Sequence, residues 1–186
     1  VYARFIVFRE EMQDNDQTKS LEAPPGFDLA YVGAERLNEM LSLPDRDTTT
    51  DELNIRFMCR NMCLAVMKDH RIIAFTWASC GIFQHESYRF PLSENEAFLF
   101  DAYTAPEFRG LGLAGLIRRN LYRDLASRGR TRCYSVTLCH NTSAMKLKNK
   151  LNGHVVDTGF FVRLFNRWTW GTRARPERLR NDAVAL

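Results

Sequence analysis

A chain of 186 residues with 45% hydrophobic and 26% charged side chains has the composition of an ordinary globular domain, which excludes disordered, collagen-like and repeat architectures. Its longest run free of charge and histidine, residues 72–84, is 13 residues long, short of the ~20 that a membrane-spanning helix needs. The net charge of +4 hides an asymmetry: residues 1–105 hold 10 Lys and Arg against 17 Asp and Glu, and residues 106–186 hold 16 against 5.

The basic half is expected to face an anion, whether a nucleic acid, a membrane surface or a phosphorylated cofactor; a basic tail plus solvated helix faces would explain it equally. The positive charge spreads without a recognition motif, which disfavours nucleic acid. Cys59, Cys63, Cys80, Cys133 and Cys139 with four histidines form neither CxxC pairs nor an HExxH helix. No metal site is therefore expected, and an odd number of thiols suits a reducing cytoplasm. The chain starts at Val1, so a preceding segment stays open.

Residues 2–9 (YARFIVFR) read as a first strand, and the polar run 10–20 followed by Ala23-Pro24-Pro25-Gly26 as a loop. Residues 27–32 read as a second short strand, 34–43 as an amphipathic helix, and 48–52 as the start of a helix of about ten residues. Apolar runs 62–67 and 72–82 around a short polar link predict a hairpin. After a loop containing Pro91, residues 96–104 (EAFLFDAYT) read as a strand stopped by Pro106. A helix with Leu113, Leu116, Ile117, Leu121 and Leu125 at helical spacing runs to Ser127 and is closed by Gly129. Residues 133–139 read as a strand, 141–151 as a helix, and 154–163 and 164–170 as further strands, with Gly159 as a candidate bulge. Residues 171–186 read as a basic tail behind one domain of residues 1–170.

A glycine-rich turn between strand and helix suits anion binding, because the backbone approaches a phosphate closely and the first helical N–H groups point at it. Gly110-x-Gly112-x-x-Gly115 matches a dinucleotide fingerprint literally, but the preceding strand follows a hairpin and no acidic residue ends a strand about 20 residues on. Thr104-Ala105-Pro106-Glu107-Phe108-Arg109-Gly110-Leu111-Gly112-Leu113-Ala114 resembles the acetyl-CoA loop of the GNAT N-acetyltransferase superfamily. Asn141-Thr142-Ser143-Ala144, Leu147, Lys150-Leu151 and Gly153 resemble its downstream segment. The resemblance implies an α/β (α+β) fold: a mixed, mostly antiparallel central sheet flanked by helices, with strands splayed at an acyl-CoA cleft and an N-terminal strand extension.

It further implies that acetyl-CoA is the co-substrate. The amides of Arg109, Gly110, Leu111, Gly112, Leu113 and Ala114 would hold the pyrophosphate, with Tyr103 and Thr104 beside the pantetheine arm. Asn141 and Ser143 would lie on the opposite wall, and Arg118 or Arg119 at the 3′-phosphate. The family's tyrosine general acid is replaced by Lys148. Asp101 is the leading candidate base, weighed equally against a salt-bridging role; Glu96 is second, and Tyr103 and His140 are further candidates for acid–base work. Strand alternation puts Asp101, Tyr103 and Ala105 on one face, and Phe100, Ala102 and Thr104 on the other. His85, Glu86 and Tyr88 fall in a loop that would line an acceptor pocket or simply be solvated.

The expected function is acetyl transfer to a small-molecule or peptide primary amine by direct attack in a ternary complex. The alternatives are a longer acyl-CoA or acyl carrier protein donor, and a non-catalytic acyl-CoA-binding module. A homodimer is left open.

Overall fold

The computed structural model describes residues 1–11, 22–164, 168–174 and 176–180. In chain order the elements are β1 (Tyr2–Glu11), β2 (Asp28–Tyr31), α1 (Leu37–Leu41), α2 (Thr50–Met58), β3 (Met62–Lys68), β4 (Arg71–Ser79), β5 (Ile82–His85) and β6 (Tyr88–Pro91). They continue with β7 (Glu96–Thr104), α3 (Leu113–Ala126), β8 (Arg132–Leu138), α4 (Thr142–Lys150), β9 (His154–Leu164), β10 (Trp168–Gly171) and α5 (Pro176–Arg180). The chain divides into two compact units, one of residues 1–12, 80–98 and 129–186, the other of 13–79 and 99–128. The change from one unit to the other falls within β7.

In the first unit the strand order is β10-β9-β1-β8, followed by the opening residues of β7, with β5 and β6 as a separate hairpin. β1 runs antiparallel to β8 with Phe5 opposite Leu138, and antiparallel to β9 with Phe5 opposite Gly159. A Cβ at Gly159 would collide with the Phe5 ring, so this glycine serves close packing. The irregularity lies elsewhere, between Val7 and Phe8, which corrects the expected bulge at Gly159. The core is aromatic: the Phe83 ring stacks on Phe98 at 4.1 Å and on Phe90 at 4.8 Å.

In the second unit the order is β2-β3-β4, followed by the end of β7. β4 is buried along all but its first residue, and α3 packs over β3 and β4. Its apolar stripe of Leu113, Leu116, Ile117, Leu121 and Leu125 is buried, the face that the 3.6-residue spacing demands. Thr49 and Glu52 close a capping box at the start of α2, satisfying two otherwise orphaned amides.

The mixed, mostly antiparallel sheet architecture flanked by helices is as expected. Several boundaries differ. The predicted helix 34–43 is a 3-10 turn over Ala34–Arg36 followed by the short α1. The apolar run 72–82 is broken after Ser79, and Ile82 begins β5. The expected loop around His85 is the tip of the β5–β6 hairpin. Residues 176–180, within the expected tail, form α5, with Leu179 fully buried. Most of the 10–20 loop and Phe165, expected in the core, lie outside the described residues.

Candidate functional site

The glycine-rich turn is built by the end of β7 and the start of α3, both in the second unit. The Ala105 amide donates to the Ile73 carbonyl at 2.8 Å, fixing the strand end against β4. Pro106–Phe108 makes a 3-10 turn, and Gly110 and Gly112 follow with φ of 85° and 77°. Only glycine takes that left-handed backbone at little cost, and two such residues turn the chain sharply into α3. Gly112 is the N-cap and brings no side chain to the helix end. The amides of Leu113, Ala114 and Gly115 belong to the first turn, which lacks intrahelical acceptors, whereas Leu116 N–H already donates to Gly112 at 3.1 Å. Leu113 buries its side chain and Leu111 exposes its own, so neither residue covers the turn with a packed group. Arg109 braces the loop: its Nε donates to the Thr104 carbonyl at 3.2 Å, and its guanidinium lies 3.7 Å from Asp45. The turn thus presents backbone amides without intrahelical acceptors at the positive end of a helix dipole, a geometry that suits an anion.

Upstream on β7, Asp101 has φ of 47°. This left-handed residue interrupts the alternation, so Phe100 packs against the same core as Tyr103 and Ala105, contrary to the expected division of faces. Asp101 accepts from Arg46 at 2.9 and 2.7 Å and from Arg56. Burial alone would raise its carboxyl, but the Arg46 hydrogen bond and the charges of Arg56 and Arg46 outweigh it and hold the group below the usual range. A carboxylate so held is a weak base, and this geometry matches the salt-bridging alternative. Tyr103 is 8% exposed, stacked on Phe75 at 5.5 Å, and its hydroxyl has no partner. Burial, then the Glu107 charge, raises its phenol. Arg118 is buried at 3% exposure in α3, unlike a side chain offered to a phosphate in water; its neighbour Arg119 is partly exposed.

The remaining expected residues belong to the first unit. His140 is exposed in the turn after β8, Ser143 is exposed in the first turn of α4, and Asn141 is the α4 N-cap. The Asn141 side-chain oxygen accepts from the Ala144 amide at 3.0 Å, which leaves its amide nitrogen available. Lys148 is fully buried and donates to Glu10 at 2.7 Å, and Ser135 donates to the same carboxylate oxygen. An ammonium ion locked in this way is no substitute for a mobile phenolic acid.

Glu96 is likewise committed, taking 3.0 Å contacts from Tyr134 and Arg180 and 2.8 Å from the Ser93 amide. Burial opposes its ionisation, yet these bonds keep the carboxyl below its ordinary value. His85 lies between the Phe5 and Phe161 rings, at 5.0 and 5.8 Å. Burial, with Arg163 nearby, pushes its imidazole down to about 4. Tyr88 donates to Asp157 at 2.7 Å, and Arg163 pairs with Glu86. The hairpin is therefore held by packing, an ion pair and a hydrogen bond of its own unit. Arg46 and Arg56 escape sequence reading, since their partner Asp101 is 55 and 45 residues away; only the apolar setting of an Asp inside EAFLFDAYT hinted at a nearby cation.

Residues 80–162 match a family model described as FR47-like protein. No curated protein matches the chain in sequence. Among solved structures, a candidate GNAT-family acetyltransferase of Novosphingobium aromaticivorans aligns with 86% of this chain and 63% of its own at 19% identity, TM-score 0.62. A tandem GNAT protein of the clavulanic acid biosynthesis pathway aligns with 84% of this chain and 51% of its own at 14% identity, TM-score 0.67. An aminoglycoside N-acetyltransferase in complex with CoA aligns with 79% and 99% at 20% identity, TM-score 0.59. The chain thus has the fold of these acetyltransferases, and it spans only 63% and 51% of the first two.

Proposed function

We propose that this chain, which has the GNAT fold, is an acyltransferase that moves an acetyl group from acetyl-CoA to a primary amine in a ternary complex. The observation that carries the reading is the turn after β7: two left-handed glycines, Gly110 and Gly112, open the amides of the first turn of α3 to an anion. The CoA pyrophosphate has the charge and the tetrahedral oxygens this cradle suits. Solved structures with the same fold, among them the aminoglycoside N-acetyltransferase bound to CoA, support the same donor. Arg119 in α3 is the better placed of the two arginines for the 3′-phosphate, because it is partly exposed.

In this reading the amine lone pair attacks the thioester carbonyl, the C–S bond breaks, and the acetyl group stays on nitrogen. The chain contributes chiefly by holding donor and acceptor together. The committed carboxylates Asp101 and Glu96 do not take the amine proton; it leaves to water. The thiolate takes a proton from water. A reducing cytoplasm suits five cysteines that are all free, and no helix among the described residues is long and apolar enough to cross a membrane.

Incubating the protein with acetyl-CoA and a panel of primary amines, following thiol release and the mass of the N-acetyl product, tests the reading. Amine-dependent thiol release is the expected result. CoA binding without transfer to any amine would favour a binding module instead, and turnover only with longer acyl-CoA would reassign the donor.

A further inference from the structure

The outer edge of the first unit carries an apolar surface that donor binding does not explain. β10 ends the strand order β10-β9-β1-β8, and among the described residues no strand pairs with its outer side. Its four residues, Trp168-Thr169-Trp170-Gly171, include no charge and no proline, two of the devices by which proteins guard an open edge. Trp168 and Trp170 are 73% and 70% exposed. Trp170 and Tyr2 both stand opposite Val162, and Trp168 stands opposite Leu164, so these side chains share one face of the sheet. Tyr2 is 64% exposed, and the Phe160 ring lies 6.2 Å from Tyr2 and 5.7 Å from Trp170. With ~150–250 Å² in each aromatic side chain, Tyr2, Trp168 and Trp170 alone expose on the order of 400 Å², about half of what one partner gives to a standard interface.

The register of β9 and β10 fixes which backbone groups face outward. The Thr172 amide donates to the Phe160 carbonyl at 2.9 Å, so the hydrogen-bonded positions of this antiparallel pair are 160 with 172, 162 with 170, and 164 with 168. The N–H and C=O of Thr169 therefore point away from β9, to the open edge. A partner strand suits this edge if it brings outward groups at the same spacing, an apolar face and no like charge, and a second β10 brings all three. Run antiparallel about a two-fold axis through Thr169, two copies exchange both hydrogen bonds between their Thr169 residues. Trp168 of each then stands opposite Trp170 of the other in a non-hydrogen-bonded position, where side chains approach most closely and aromatic pairs stabilise the sheet. Charge does not oppose the pairing. Arg163, opposite Thr169 on β9, is paired with Glu86. Arg173, the first charged residue after β10, lies four residues from the axis in each copy, which separates the two guanidinium groups by roughly 26 Å at ~3.3 Å per residue, beyond the ~8 Å screening length of physiological salt.

We propose that β10 is a self-pairing edge: two copies of this chain join antiparallel through it, with Thr169 on the two-fold axis, and their sheets become continuous. The inference does not depend on the acyltransferase reading above.

The test is the solution mass by size-exclusion chromatography with light scattering, for wild type, Thr169→Lys, Thr169→Glu, their equimolar mixture and Thr169→Pro, each shown to be folded by circular dichroism and cooperative unfolding. Thr169 is exposed, so the charged side chains are tolerated within one copy. Wild type is expected at the mass of two chains. Thr169→Lys or Thr169→Glu alone sets like charges opposite each other and should run as one chain. Their mixture should return to the mass of two chains, because opposite charges then meet across the axis. Thr169→Pro removes an outward N–H and leaves the bonds to β9 in place; it should raise the dimer dissociation constant at least ~10-fold, about 1.4 kcal/mol. A wild-type mass of one chain at every concentration would overturn the inference and leave the edge to a different partner. A dimer that persists in all three variants, or charged variants that do not recombine when mixed, would overturn it as well.

Discussion

With a guanidinium on either side, the Asp101 carboxylate is the wrong group to accept a proton from an amine at neutral pH. Its proton affinity is lowered by the Arg46 and Arg56 contacts that outweigh burial, so its protonation belongs to acid unfolding rather than to turnover. Asp101→Asn removes the only negative charge between two cations in a partly buried place, and a loss of about 2 kcal/mol is expected on denaturant unfolding. The shape of the kcat–pH profile should persist in the folded variant; a profile in which residual activity instead rises steadily with pH would restore the base role. His85 makes a second case. Its imidazole is pushed down to about 4 in the folded chain, whereas the unfolded chain protonates near its ordinary value of ~6.5. Between these values the unfolded state binds the extra proton, so stability is greatest above the upper value and falls as pH drops toward the lower one, by at most about 3 kcal/mol. Equilibrium unfolding of wild type and His85→Phe from pH 7 to 4 checks this: the variant should show a flatter dependence, and parallel curves would contradict it.

At the scale of elements, what could be read was what local chemistry determines. The stripe of α3, the hairpin of β3 and β4, and the glycines of the turn after β7 are set by neighbours a few residues apart, and periodicity or turn geometry reveals them. α5 was missed because five residues with one buried leucine carry no period; it is held by Leu179 and by Arg180 on Glu96, 84 residues away. The split between β4 and β5 was missed because residues 72–82 are nearly continuous in apolar character. The start of α2 was legible from its Thr run, and its capping box holds the helix that carries Arg56, a partner of Asp101. Thr49→Ala is expected to cost about 1 kcal/mol in thermal or chemical unfolding. An unchanged midpoint would show that α2 is held by packing alone.

For the whole molecule, the resemblance seen in the sequence is divided between two compact units. The glycine-rich turn, Asp101 and Tyr103 fall in one, and His140, Asn141 and Ser143 in the other. Long-range ion pairs decide which of the predicted residues remain free: Lys148 is consumed by Glu10 at a separation of 138 residues, Asp101 by the two arginines and Glu96 by Arg180. No window of sequence contains both members of such a pair, which is why the backbone half of the site was legible and the acid–base half was not. The account stands on the backbone half. A Cβ added at Gly112 meets no other atom of the chain within 4 Å, although φ there is +77°. Gly112→Val therefore strains the turn without a collision inside the protein, while its branched side chain stands where the pyrophosphate would approach. The direct measurement is calorimetric titration of CoA into wild type and into a Gly112→Val variant shown to be folded by its circular dichroism and cooperative unfolding. The account predicts a dissociation constant at least about tenfold higher in the variant, near 1.4 kcal/mol; equal affinity in the two proteins would contradict it.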